Sequence, residues 1–111
     1  MGAVGWIAGL VNAFPEESVQ LFDLARDGRF EEARTLYEWF LPLLRLDTVP
    51  KFVQLIKFVQ AELKRGSAAV RAPRLELDEG ERSVVRKLLK ERLANRPAIA
   101  AREPATRAVA V

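Results

Sequence analysis

The side chains able to do chemistry are few, and their types narrow what that chemistry could be. The chain carries the lysines Lys51, Lys57, Lys64, Lys87 and Lys90, the tyrosine Tyr37, and the adjacent carboxylates Glu16 and Glu17. It has no histidine, the usual general base at neutral pH, and no cysteine, so thiolate metal sites and disulfides are excluded. A lysine attacks a carbonyl only when partial desolvation leaves its amine neutral near pH 7. Lys57, about 140° round a helix from Phe52, falls toward the polar sector with Ala61 and Lys64, which speaks against that role. Neighbouring helical residues point about 100° apart, so Glu16 and Glu17 read as compensation of a helix dipole rather than as an acid/base pair. Tyr37 falls in an apolar stripe and is expected in the core. Trp39 lies off the centre of that stripe and is expected to face another helix or subunit. No catalytic residue, metal ligand or cofactor site emerges from these residues.

The elements that would position such groups belong to a single domain. At 111 residues, 50% of them hydrophobic and 30% charged, the chain can bury a modest core and is too apolar for disorder. The net charge is +3, with the positive excess in residues 67–111. There the arginines alternate with glutamates on a helix and then scatter among alanine and proline. That pattern reads as a solvated face and a loose tail, not as the single-sign cluster that nucleic acid needs. No apolar run approaches the roughly 18 residues of a membrane span, and residues 1–10 contain no basic segment, so a signal peptide is not expected there. With no cysteine, a cytoplasmic setting is expected.

Residues 4–11 form a short apolar run containing Gly5, Trp6, Ile7 and Gly9, which suits a buried strand whose glycines allow close backbone approach. Four helices are expected after it. The first starts at Phe14-Pro15-Glu16-Glu17 and stops at Gly28. The second begins near Phe30 and turns Ala33, Leu36, Tyr37, Phe40, Leu41 and Leu44 to one side, with Pro42 kinking or ending it. The third opens at Pro50, has a stripe of Phe52, Leu55, Ile56, Val59 and Leu63, and is followed by Gly66. Residues 67–77 connect to the fourth, where Asp78 to Glu81 has capping-box spacing and Val84, Val85, Leu88, Leu89 and Leu93 are apolar. From Asn95 onward the sequence loses its period. Residues 1–94 are therefore expected to form the folded unit and residues 95–111 a disordered tail. One strand without a partner is an odd inventory for a complete domain and points to a sheet that has been cut.

The same order of signals resembles the end of a Schiff-base aldolase barrel. Gly2-Ala3-Val4-Gly5-Trp6-Ile7-Ala8-Gly9, followed by Asn12, is similar to the glycine-rich last strand of the dihydrodipicolinate synthase/N-acetylneuraminate lyase family. Asp27-Gly28-Arg29-Phe30-Glu31-Glu32-Ala33-Arg34 resembles that family's turn and next helix start. Leu41-Pro42-Leu43 resembles its proline kink, and Ile56-Lys57 with Glu62-Leu63 and Arg71-Ala72-Pro73 resembles its lysine-bearing helix and following turn. No one of these is specific, but together, in order, they cover residues 2 to about 93.

The resemblance implies a mainly α chain: one N-terminal barrel strand and about four helices, the C-terminal portion of a (β/α)8 TIM barrel. A whole barrel takes roughly 200 residues or more. It implies further that the family's Schiff-base lysine and relay tyrosine, on the sixth and fifth strands, would lie before Met1. Ile7 matches the last-strand isoleucine whose backbone borders the pocket, and Gly5 would let the backbone pass close to a substrate carboxylate. Ile7 also reads as an ordinary core aliphatic residue, and Gly5 and Gly9 equally as marks of tight packing. Ala8 stands where many family members have serine.

Two functions follow as expectations. The first is a fragment of a family lyase acting on 2-keto acid-type substrates through a lysine imine, inactive alone. Trp6 and residues 46–51 look more like catabolic branches of the family, implying a deaminase or dehydratase acting on a pyrroline carboxylate or a sugar acid. The second is a non-catalytic helical interaction or oligomerisation fragment that needs a partner chain. Either way, self-association or a barrel-completing chain is expected, because residues 4–11 and the faces bearing Phe22, Phe40 and Phe52 would otherwise be bare.

Overall fold

Four helices in chain order build the molecule, α1 (Pro15–Arg26), α2 (Phe30–Leu44), α3 (Phe52–Glu62) and α4 (Glu79–Ala94), with short 3-10 turns at Leu10–Asn12 and Arg45–Thr48. The computed structural model describes residues 2–98. Residues 99–111, most of the expected tail, lie outside them. Helices take up most of residues 15–93, and no strand occurs among the described residues.

The helix ends follow local chemistry. Pro15 sits in the first turn of α1, where a missing N–H costs nothing, and Glu16 and Glu17 oppose the dipole beside it. Gly28, at φ +75°, ends α1 with the paired bonds of a Schellman motif: its N–H donates to Ala25 at 3.2 Å and that of Arg29 to Leu24 at 2.9 Å. The expected stop of α3 at Gly66 falls two residues late. Lys64 takes the left-handed position instead, at φ 58°, with its N–H on the Ala61 carbonyl and that of Arg65 on the Gln60 carbonyl at 2.8 Å. Asp78 caps α4 as its spacing predicts, its carboxylate accepting from Glu81 N at 2.8 Å. Pro42 neither ends nor replaces α2. The helix runs through it to Leu44 and then tightens into the 3-10 turn.

The segment expected as a strand carries no regular secondary structure over residues 2–9, and its end winds into the turn Leu10–Asn12. An extended segment gains ladder bonds only from a neighbouring strand, and the described residues offer none.

Packing corrects the faces read from periodicity. α2 buries Ala33, Leu36, Trp39, Phe40 and Leu43. Tyr37 is 44% exposed and Phe30 lies open. The buried arc is turned from the expected one because α2 packs against α1 on one side and α4 on the other. α3 buries Leu55, Ile56 and Val59 as expected, adds Gln54 and Phe58, and leaves Phe52 exposed. α4 turns Val85 and Leu89 inward and Val84 outward. At the centre Phe14, Trp39 and Phe40 meet with ring centroids 5.7–6.1 Å apart, two of the pairs edge to face. Such pairs contribute about 0.5–1.5 kcal/mol each beyond their buried area. Phe40, expected to cover a missing barrel, is fully buried in this chain's own core.

Candidate functional site

The N-terminal segment borders α1 and is anchored where it meets the core. Leu10, Ala13 and Phe14 are buried completely or nearly so, which fixes the turn at Leu10–Asn12 in the core. Just before it, Gly9 N donates to Asp47 Oδ2 at 3.1 Å, and Asn12 Nδ2 donates back to Gly9 O at 2.9 Å. A Cβ on Gly9 would lie 2.6 Å from Ile56 Cδ1 and 2.8 Å from Asp47 Oδ1, so close that one of those side chains would have to shift. Gly9 therefore marks tight packing. Gly5 meets nothing within 4 Å at the same position, so nothing among the described residues requires a glycine there.

Gly5 and Ile7, the two residues matched to the substrate border, lie on the open part of the segment. Ile7 is fully exposed. Gly5 lines a hollow of about 280 Å³ with Val4, Trp6, Val11 and the α1 residues Ser18, Val19, Phe22, Asp23 and Arg26. The hollow is mainly apolar. Its charged edge is internally balanced, because Arg26 pairs with Asp23 at 3.2 Å and with Asp27 at 3.3 Å. Ser18 Oγ is turned away to the Phe14 carbonyl at 2.7 Å.

The lysines are spread over the helical surface. Lys51, Lys64, Lys87 and Lys90 are exposed and Lys57 is half-buried. Lys51 donates to Glu81, and that hydrogen bond raises its pKa, the opposite of what a neutral nucleophilic amine requires. Glu16 and Glu17 part company as adjacent helical residues should. Glu16 bonds Arg65 at 2.9 Å, and its pKa is lowered by a backbone hydrogen bond and then by that arginine. Glu17 is wholly buried and accepts from Arg96 Nε at 2.5 Å. Among the described residues no group of three or more histidine, cysteine or acidic side chains could hold a metal ion, and no helix is long and apolar enough to cross a membrane.

Three contacts escaped the sequence. Glu17 with Arg96 and Gly9 with Asp47 join positions far apart in the chain, and no local pattern announces either. Trp39 gave a partial signal by lying off the apolar stripe. Its indole Nε1 donates to the Arg92 carbonyl of α4 at 2.8 Å, so it does face another helix. Arg96 and its pairing also bring part of the expected tail, residues 95–96, against the helices.

Among the described residues, four helices on a common core, preceded by a largely exposed apolar segment, define a helical unit. Residues 1–92 match the profile of the Dihydrodipicolinate synthetase family, and the chain belongs to that family. It is similar to the 4-hydroxy-tetrahydrodipicolinate synthase of Methanococcus maripaludis, with 29% identity over 82 residues, which make up 74% of this chain and 28% of that protein. It is also similar to the protein of that name from Methanocaldococcus jannaschii, with 25% identity over 91 residues, 82% of this chain and 32% of the other. The chain thus spans less than a third of the length of these curated relatives. No solved structure matches it at a comparable level of significance.

Proposed function

We propose that this chain is the C-terminal portion of a family lyase that acts on 2-keto acid-type substrates through a lysine imine, and that it is inactive alone. The observation that carries this reading is the family match over residues 1–92 in a chain that aligns with less than a third of the length of its relatives. In the completed protein, in the cytoplasm, residues 4–11 become the last strand of a (β/α)8 barrel. Its backbone at Gly5 and Ile7 then borders the substrate at the mouth where barrel sites lie. The imine-forming amine comes from the barrel portion, since each lysine here is exposed, half-buried or paired with a carboxylate. The finer reading, a deaminase or dehydratase branch, rests on Trp6 and residues 46–51.

The second reading is a non-catalytic helical interaction or oligomerisation fragment. It draws support from the self-contained core around Phe14, Trp39 and Phe40 beside a bare N-terminal segment. The two readings separate in one experiment. The chain is incubated with pyruvate and borohydride, alone and with a family barrel portion lacking these residues, then weighed intact and mapped. Labelling of one barrel lysine that appears only in the mixture is expected. Stoichiometric labelling of a lysine in the chain alone would overturn inactivity, and no labelling in the mixture would favour the non-catalytic reading.

A further inference from the structure

From the contact between Gly9 and Asp47 we infer that Asp47 is a positioning residue, which sets the path of the backbone proposed above to border the substrate. The inference rests on that reading for its functional meaning, but the contact itself is tested without substrate.

Asp47 sits in the 3-10 turn Arg45–Thr48, between α2 and α3, and is half-buried. Its Oδ2 accepts the Gly9 N–H across 38 residues of sequence. Ile56, buried on α3, and the Asp47 carboxylate crowd the same side of Gly9, so that a Cβ there would force one of the two side chains to shift. The Gly9 carbonyl is occupied as well, by Asn12 N at 3.2 Å and Asn12 Nδ2 at 2.9 Å. Gly9 is thus held through its N–H, its carbonyl and its bare Cα. Downstream, Leu10 and Phe14 are sunk in the core, while upstream Gly5 and Ile7 are open.

An amide fixed at Gly9 governs what lies just before it. Ile7 lies only two residues before the anchored amide, and Gly5 four. A shift of the turn at residues 45–48 is passed through the Asp47 carboxylate to that stretch. The carboxylate suits this role because a charged acceptor holds a backbone N–H more strongly than a neutral one. Asp47 touches no reacting atom in this arrangement and acts through Gly9.

Hydrogen exchange of the full chain, read residue by residue after fragmentation in the mass spectrometer, tests the inference. Asp47→Ala is expected to lower protection at Gly9 by about tenfold, as loss of a bond to a charged group should. It should also shift the NMR signals of the Trp6 indole and the Ile7 and Ala8 amides, with helix content retained. Asp47→Asn, whose side-chain oxygen still accepts, should fall between. Unchanged Gly9 protection, or unchanged signals for residues 6–8 in Asp47→Ala, would overturn the inference. If that variant loses its helices, Gly9→Ala decides. Its Cβ would press on the Asp47 carboxylate and on Ile56 Cδ1 directly, so the same loss of protection supports the anchor and full retention overturns it. A negative imine experiment would leave all of these results standing, so the two proposals fail separately.

Discussion

Glu17, completely buried in the first turn of α1, accepts from Arg96 just beyond the end of α4, and the Arg96 guanidinium lies 5.7 Å from the centre of the Phe14 ring. The pair closes the two ends of the fold on each other. A buried carboxylate left without its partner is costly, whereas the arginine is partly open to water. Arg96→Ala should therefore destabilise the chain by about 1–3 kcal/mol. In urea unfolding, the double variant Glu17→Gln/Arg96→Ala should cost less than the two single changes added together.

Lys64 and Gly28 occupy equivalent left-handed positions after their helices, one with a side chain and one without. Lys64→Gly should stabilise by about 0.5–1 kcal/mol by relieving the Cβ crowding, and Gly28→Ala should cost about 1–2 kcal/mol. Thermal melts of the two variants should move in opposite directions.

Stability should decline at both ends of the pH scale for separate reasons. A backbone hydrogen bond and Arg65 hold Glu16 below its ordinary value of 4.5. Its contribution is present above that value and is lost as pH falls through the lower folded one. Glu81 raises Lys51 above 10.5, so that contribution is present below 10.5 and is lost as pH rises through the higher folded value. Urea midpoints measured against pH should show a flatter acid limb in Glu16→Gln and a flatter alkaline limb in Lys51→Gln. Both groups are largely solvated, so the changes should be small.

The bare N-terminal segment should make the isolated chain associate. Val4 and Ile7 are fully exposed and Trp6 nearly half so, beside an apolar hollow. Light scattering at tens of micromolar should report species larger than a monomer, and Ile7→Lys should reduce them. A well-behaved wild-type monomer would count against this prediction.

What could be read in the sequence was local. The Pro15 start, the Gly28 stop and the Asp78 cap depend on neighbouring residues, and each stands where its chemistry puts it. The exposure of Tyr37 could not be read, because the face that a helix buries depends on which helices pack on it. Glu17 looked like a dipole-compensating acid and is one, but its burial depends on a partner 79 residues away. Gly9 offered two meanings that only the position of Ile56 separates. The segment at residues 4–11 reads as a strand by composition, yet strand formation requires a second strand.

The indole bond from Trp39 to Arg92 has a kinetic consequence. α1 and α2 are joined by a short turn, so their pairing involves little loop closure, whereas α4 reaches α2 only after residues 63–78 have been spanned. Docking of α4 is then the late event in assembly and the early one in opening. Because Trp39 loses its hydrogen bond when α4 leaves, its fluorescence would time the arrival of that last helix.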